Sequence, residues 1–188
     1  YVETAVRVMA PFTAGSLSEA ELRELCTQAY GRFSHDAVTP LVQLDHRHFL
    51  LELFHGPTLA FKDVALQLLG LLFERFLKGT NQHLTIVGAT SGDTGSAAID
   101  AVAGREGIDI FMLHPNKRVS DVQRRQMTTV LSPNVHNIAI EGSFDDAQAM
   151  VKAMFNDAGF AGRFQVTAVN SINWARLMAQ VVYYFYAA

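Results

Sequence analysis

The sequence predicts an α/β protein built on a parallel sheet with helical crossovers. From residue 83 to residue 188, short apolar runs typical of strands alternate four times with segments of helical periodicity. Such alternation is typical of parallel strands joined by right-handed crossover helices. Ligands of these sheets bind beyond the carboxyl ends of the strands, so candidate functional residues are sought in the loops that follow each strand.

Composition indicates a folded domain and excludes several functions. Hydrophobic residues make up 49% of the 188 residues and charged residues 18%, which excludes intrinsic disorder. The formal net charge of −3 offers no basic surface for nucleic acid or an anionic membrane, and the apolar runs are too short for a membrane span. The single cysteine, Cys26, excludes a disulfide framework and a cysteine metal cage. We therefore expect a cytoplasmic protein without a metal site.

The N-terminal part of the chain predicts a helix followed by two strands. Ser18 and Glu21 have the spacing of a capping box, and Gly31 ends the apolar helical face that follows them. Apolar runs at 41–44 and 49–54 flank a polar turn and indicate a pair of strands.

A long apolar helix is predicted over residues 60–78, closed by Gly79. The polar residues that follow mark a boundary, so we divide the chain into residues 1–79 and 80–188. Beyond the boundary, strands are predicted at 83–89, 108–114, 135–141 and 164–169, and helices at 94–103, 120–131, 145–158 and 173–188.

A lysine at the start of the long helix is the first candidate for chemistry. Gly56 and Pro57 end the preceding strand, and Lys62 falls in the first predicted helical turn. The positive end of the helix dipole and burial among apolar neighbours both favour a neutral amine. A neutral amine is the form that Schiff-base chemistry requires. The alternative is a solvated pair of Lys62 and Asp63.

A glycine-rich loop follows the first strand of the predicted sheet. Residues 88–96 read GATSGDTGS, and such a turn directs backbone N–H groups and a helix N-terminus toward an anion. The glycine spacing is that of neither a Walker loop nor a dinucleotide fingerprint, which disfavours a nucleotide-binding module. Asp93 would repel a phosphate, so a carboxylate or a hydroxyl-bearing ligand suits the loop better. The alternative is a turn in which Asp93 or Thr94 caps the helix.

Three further polar loops follow the other predicted strands. Lys117 and Arg118 precede a helix in the first, and Ser143 and Asp146 have capping spacing in the second. The third loop, residues 170–176, combines amides, a hydroxyl and an arginine that could bind an oxyanion. The alternatives are a solvated turn, a structural cap, and a cap followed by a surface arginine. Several polar loops at one edge of a sheet nevertheless indicate a ligand site.

Four of these segments together resemble the threonine synthase family of pyridoxal-phosphate enzymes. The segments read HGPTLAFKD at 55–63, GATSGDTG at 88–95, EGSFDD at 141–146 and VNSINWAR at 169–176. The likeness covers nearly the whole chain. It implies the fold type II architecture, similar to the β-subunit of tryptophan synthase. Residues 1–79 would then belong to a larger domain that carries the cofactor lysine, and residues 80–188 would form a smaller substrate-binding domain.

The resemblance also implies a role for each candidate residue. Lys62 would hold pyridoxal 5′-phosphate as a Schiff base and then move protons between substrate carbons. Asp93 would face the 3′-hydroxyl of the cofactor. The substrate carboxylate would be bound by Thr90, Ser91, Gly92 and Thr94, and the substrate phosphate by Lys117, Ser143, Ser171, Asn173 and Arg176.

The implied reaction converts O-phosphohomoserine and water to threonine and phosphate, with the cofactor ring as electron sink. Two alternatives stay open: another pyridoxal-phosphate lyase or dehydratase of hydroxy- or phospho-amino acids, and a non-catalytic paralogue that binds a phosphorylated metabolite. Arg176 favours a phosphorylated substrate. Lys62 counts against a pure binding module, which has no need of an amine at a helix N-terminus.

Two features that the resemblance implies do not occur in these 188 residues. One is the glycine-rich loop that holds the cofactor phosphate, and the other is a hydroxyl residue facing the pyridine nitrogen. The chain begins at Tyr1 and ends at Ala188 within a predicted helix. We therefore expect an internal piece of a longer enzyme, incomplete in fold and inactive alone, whose partners are the substrate and the remaining segments of the parent chain.

Overall fold

The structure is a computed structural model that describes residues 1–170 and 173–188. Helices and strands alternate along most of its length. The helices are α1 (Val2–Thr13), α2 (Glu19–Tyr30), α3 (Asp63–Leu77), α4 (Asp93–Val102), α5 (Asp121–Thr128), α6 (Phe144–Asn156), α7 (Ala158–Phe164) and α8 (Trp174–Ala187). The strands are β1 (Leu41–Gln43), β2 (Phe49–Leu51), β3 (Leu84–Ala89), β4 (Ile108–Pro115), β5 (Val135–Ile140) and β6 (Val166–Thr167).

The larger sheet has four parallel strands in the order β5-β4-β3-β6. β3 and β4 pair from Leu84↔Ile108 to Ala89↔Leu113. The chain leaves β3 toward β4 on one side and returns to its other side with β6, so the winding direction reverses at β3. Ligands of open parallel sheets bind at such a reversal, beyond the carboxyl ends of the strands. The predicted parallel sheet with helical crossovers is confirmed.

The local predictions for the N-terminal part also agree with the structure. The Ser18 side chain accepts a hydrogen bond from the Glu21 N–H, and Glu21 Oε2 accepts one from the Ser18 N–H at 3.0 Å. This capping box starts α2, and Gly31 follows the last residue of the helix. β1 and β2 form an antiparallel pair, as the two apolar runs predicted.

The segment between β5 and α8 differs from its prediction. The single helix predicted at 145–158 is two helices, because the Asp157 side chain accepts from the Phe160 N–H at 3.0 Å and starts a new helix there. That second helix continues through Phe164, and Gln165 follows it in the left-handed conformation with φ of 48°. The strand predicted at 164–169 is therefore shortened to β6. In addition, α1 was not predicted from the sequence.

Two hydrophobic cores meet at α3. The first joins α1, α2 and one face of α3, represented by Leu68, to Met178 and Val182 of α8. The second joins Leu66 and Leu69 of α3 to the sheet and to α4. The predicted boundary at residue 79 groups α8 with the sheet, whereas its buried face packs into the first core. The assignment of residues 1–79 and 80–188 to separate domains stays a prediction.

A buried polar network joins α3 to α4. The wholly buried Gln67 accepts from Arg32 Nη1, and its amide donates to Asp100 Oδ2 at 2.7 Å. Arg32 Nη1 also lies 3.0 Å from the same carboxylate. Because Lys62 directly precedes α3 and Asp93 begins α4, this network aligns the two helices whose N-terminal ends carry these candidates.

Gly70 allows α3 to approach α4 closely, and replacing it tests that contact. A Cβ at Gly70 would lie 2.4 Å from the carbonyl oxygen of Ala101, which is backbone and cannot rotate away. We expect Gly70→Ala to lower the free energy of unfolding by about 2 kcal/mol, measured by urea denaturation. Gly162→Ala in α7 is the matched control, since its Cβ would meet nothing within 4 Å, and it should leave stability unchanged or slightly higher. Equal losses in both variants would contradict the close contact.

Candidate active site

A buried carboxylate shapes the loop that presents Lys62. The Thr58 N–H and hydroxyl donate to Asp63 at 2.8 Å and 2.7 Å, and Asp63 has no exposed surface. These bonds fold residues 58–62 into turns, so α3 begins at Asp63 and Lys62 is its N-cap rather than part of its first turn. The alternative of a solvated pair between Lys62 and Asp63 is wrong, because the carboxylate faces Thr58 inside the protein.

The environment of Asp63 explains the glycine before the loop. Burial raises the pKa of the Asp63 carboxyl, and the two hydrogen bonds from Thr58 oppose that rise by stabilising the charged form. A Cβ at Gly56 would lie 2.4 Å from Asp63 Cβ. A side chain at position 56 would therefore displace the carboxylate that holds the lysine loop in shape.

Lys62 reaches across to the glycine loop. Its Nζ donates to Asp93 Oδ2 at 2.8 Å and lies 4.6 Å from the centre of the Phe61 ring. The Lys62 side chain is only 14% exposed. The hydrogen bond from Lys62 holds the pKa of Asp93 below its usual range. The carboxylate and the ring face both make favourable contacts with the amine, and the neutral amine expected from the sequence stays a prediction.

The glycine loop is organised from within by Thr90. Its buried hydroxyl oxygen accepts from the N–H groups of Gly92 at 3.0 Å and Gly95 at 2.9 Å. Gly92 is the N-cap of α4, with φ of 146° and ψ of −77°, a conformation that glycine tolerates best. The alternative in which Asp93 or Thr94 caps the helix is wrong. Thr90 shapes the loop, while Ser91 is exposed at its tip.

Two glutamines that our sequence reasoning missed complete this cluster. Gln123 Nε2 donates to Asp93 Oδ1 at 2.9 Å, and Gln126 Nε2 donates to the Thr58 carbonyl at 3.1 Å. Both project from α5, so this helix contacts the lysine loop and the glycine loop together. A signal was present in the sequence, because Ser120 and Gln123 have the spacing of a cap with glutamine at the third helical position.

The loops after β4 and β5 carry two of the candidate phosphate-binding residues, Lys117 and Ser143. Lys117 is exposed after β4, with φ of 56°. Ser143 caps α6, since its hydroxyl accepts from the Asp146 N–H at 3.2 Å and donates to the Asp146 carboxylate at 2.7 Å. The hydrogen bonds from Ser143 lower the pKa of Asp146. Ser143 thus acts as a helix cap, and its role in phosphate binding stays a prediction. Within the described residues, neither Lys117 nor Ser143 forms a hydrogen bond or ion pair with Lys62.

Arg176 is buried rather than at the surface. Only 4% of it is exposed, and its Nη1 donates to the Val169 carbonyl at 3.4 Å. Its Nε has no partner among the described residues, and loss of solvent lowers the pKa of the guanidinium. Asn173 caps α8 by accepting from the Arg176 N–H at 3.2 Å. The candidate Ser171 lies outside the described residues.

A cavity of about 420 Å³ opens beyond the carboxyl end of β3, where the strand order reverses. Apolar residues and a few polar residues line it together, which is typical of small-molecule sites. Lys62 and Asp93 do not line the cavity, but Thr94 does, so the cavity adjoins the glycine loop. The polar lining residues are Thr94, Gln148, Lys152, Asn156 and Asn170.

Residues 1–170 and 173–188 contain neither a metal-binding cluster nor a membrane-spanning helix. No group of three or more His, Cys, Asp or Glu side chains is arranged to hold a metal ion. No helix in the same ranges combines the length and apolar character needed to cross a membrane.

The family model of pyridoxal-phosphate dependent enzymes matches residues 33–188. This chain belongs to that family. Threonine synthase of Pseudomonas aeruginosa is 60% identical over 188 residues, which are 100% of this chain and 40% of the relative. Threonine synthase of Schizosaccharomyces pombe is 50% identical over 196 aligned positions, covering 100% of this chain and 38% of the relative. The solved structure of the pyridoxal-phosphate-bound threonine synthase from Brucella melitensis matches with a TM-score of 0.94 at 58% identity, covering 100% of this chain and 40% of that one.

These comparisons confirm the resemblance to threonine synthases, the fold type II architecture and pyridoxal phosphate as the cofactor of the family. The chain spans about 40% of the length of these two threonine synthases. The cluster fits the cofactor chemically. Lys62 offers a nearly buried amine, and Asp93 offers a carboxylate 2.8 Å from it that could accept from a ring hydroxyl.

Proposed function

We propose that the parent protein is a threonine synthase that converts O-phosphohomoserine and water to threonine and phosphate, with pyridoxal phosphate bound covalently at Lys62. The observation that carries the proposal is the 2.8 Å contact between the Lys62 amine and Asp93. It joins the two motifs that resemble the family, at the edge of the sheet where ligands bind. The alternatives, another pyridoxal-phosphate lyase and a non-catalytic binding paralogue, are outcomes of the test below.

The residues around Lys62 support separate roles in this reaction. When bound, the cofactor draws electron density from the substrate carbons and makes their protons removable. Lys62 supplies the amine that binds the cofactor and, once displaced, can carry a proton as a general base at its Nζ. Asp93 orients the amine and can accept a hydrogen bond from the cofactor hydroxyl.

The glycine loop is proposed to bind the substrate carboxylate. The N-terminus of α4 directs the positive end of the helix dipole toward the loop tip at the exposed Ser91. Thr90 keeps the loop in the conformation that exposes Ser91, while Gly92 is itself buried and donates its N–H to the Thr90 hydroxyl. Thr90 therefore contributes through loop geometry.

The substrate phosphate is proposed to be bound by the later loops, through Lys117, Ser143, Ser171, Asn173 and Arg176. Arg176 gives this proposal its support, because its buried guanidinium has no carboxylate partner among the described residues, and a phosphate would satisfy its charge. Residues 80–188 would then form the substrate-binding part and residues 1–79 the part that carries the lysine. We also propose a cytoplasmic location, supported by the buried free thiol of Cys26.

The test begins with the full-length parent protein, reduced with borohydride and mapped by peptide mass. A reduced cofactor adduct at Lys62 is expected, and its absence would favour the non-catalytic paralogue. Turnover is then measured with O-phosphohomoserine, serine and threonine as separate substrates. Threonine and phosphate formed only from O-phosphohomoserine support the proposal. Preferred turnover of serine or threonine would instead assign the protein to the lyases of hydroxy-amino acids.

A further inference from the structure

We infer that Gln123 is a positioning residue that holds the Asp93 carboxylate in register with Lys62. The catalytic meaning of this inference rests on the proposed function, whereas its structural content does not. Gln123 lies on α5, outside the motifs that resemble the family, and the sequence alone assigned it no role.

The Asp93 carboxylate is held through both of its oxygens. Oδ1 accepts from Gln123 Nε2 at 2.9 Å, and Oδ2 accepts from Lys62 Nζ at 2.8 Å. Rotation of the carboxylate about the Cβ–Cγ bond of Asp93 would break both hydrogen bonds. The bond from Gln123 therefore opposes any rotation that would take Oδ2 away from Lys62. Gln123 thereby keeps the second oxygen directed at the lysine.

Gln123 is itself held in one orientation. The Ser120 hydroxyl donates to Gln123 Oε1 at 2.9 Å, and the same hydroxyl accepts from the Gln123 backbone N–H at 3.3 Å. Reversing the amide would point its oxygen at the Asp93 carboxylate, which is unfavourable. The amide nitrogen therefore faces Asp93. Ser120, the N-cap of α5, holds the Gln123 side chain in this orientation.

The glycine loop provides the space that Gln123 occupies. A Cβ at Gly92 would lie 2.3 Å from the Gln123 side-chain carboxamide. Any side chain at position 92 would thus push Gln123 away from Asp93. Of the charged groups in the described chain, Asp93 is the one hydrogen-bonded to Lys62, and the Asp93 carboxylate contacts Lys62 and Gln123.

The reactivity of the Lys62 amine measures this positioning without cofactor. The parent protein is freed of cofactor and treated with acetic anhydride, and the labelling rate of Lys62 is followed by peptide mass mapping across a pH series. Only the neutral amine reacts, so a well-held Asp93 slows labelling. Gln123→Met keeps the shape of the side chain but removes the hydrogen-bond donor. We expect Lys62 in this variant to be labelled about threefold faster than in the wild type, at a pH below that of half-maximal labelling of the wild type. Arg125→Met, an exposed residue of the same helix, is the matched control and should label at the wild-type rate.

Gln123→Glu separates positioning from a merely structural role and serves if the methionine variant does not fold. A protonated glutamic acid restores the donor, and an ionised one adds negative charge near the ammonium. We therefore expect it to label no faster than wild type. Labelling of Gln123→Met at the wild-type rate, or equal acceleration in Gln123→Met and Gln123→Glu, would overturn the inference.

The two proposals fail in different ways. If borohydride leaves no adduct at Lys62, the proposed function fails, while the labelling rates still test the contact. If the adduct forms and the rates do not respond to Gln123→Met, only the positioning role is lost. In the active parent protein, Gln123→Met should lower kcat by about threefold with little change in KM, because the substrate groups bind elsewhere.

Discussion

Lys62→Ala in the full-length parent protein is expected to abolish the reduced cofactor adduct at this position and to lower turnover by at least about a thousandfold. The substitution removes the amine, and no other amine among the described residues is hydrogen-bonded to Asp93 to replace it in covalent binding. The fold should persist, since the amine pairs with a carboxylate that is 46% exposed. Such a pair contributes little to stability.

Lys78→Ala is the matched control for this variant. Lys78 follows the opposite end of α3 and is exposed, so its replacement should preserve both the adduct and turnover. Urea denaturation verifies that both variants remain folded. Turnover by Lys62→Ala at the wild-type rate would remove Lys62 from the mechanism, and an adduct elsewhere in the chain would assign the cofactor to another lysine.

Gly92→Ala is expected to disturb the glycine loop in two ways. The backbone φ of 146° is strained for any residue with a Cβ, which should lower the free energy of unfolding by about 2 kcal/mol. The new methyl group would also displace the Gln123 amide, 2.3 Å away. We therefore expect turnover of the parent protein to fall by about tenfold, as the Asp93 carboxylate loses its support and the loop changes shape.

Gly104→Ala isolates the first of these effects. Gly104 also has a positive φ, 73°, but a Cβ there would meet only the Ser132 hydroxyl, at an ordinary 3.7 Å. This control should lose some stability and keep full turnover. If Gly92→Ala lost stability and retained the wild-type kcat, the loop conformation would not matter for the reaction. Stability is followed by urea denaturation and turnover by release of phosphate.

Several features of the fold were predictable because they depend on neighbours in sequence. The Ser18 capping box, the β1–β2 pair and the alternation that produces the parallel sheet all require only local spacing. The lysine and glycine motifs were identified for the same reason. What these local patterns could not show is that Lys62 and Asp93, 31 positions apart, form a direct ion pair.

Other features depended on contacts between distant segments. The start of α3 moved to Asp63 because a buried carboxylate draws Thr58 into a turn, which the apolar pattern of the helix does not reveal. α8 looked like part of the sheet domain, yet its apolar face packs with α1 and α3. Arg176 was weighed as a surface residue, and burial could be seen only once α8 was packed.

The amino-acid sequence alone determined the type of fold, the family resemblance and the lysine that defines the chemistry, because these follow from periodicity and from short motifs. The tertiary structure decided which groups meet that lysine. Gln123 reaches Asp93 only because α5 packs beside α4, and Gln67 joins α3 to α4 only after the two helices meet at Gly70. Hydrogen bonds between residues far apart in sequence depend on packing, and packing is a property of the whole folded chain.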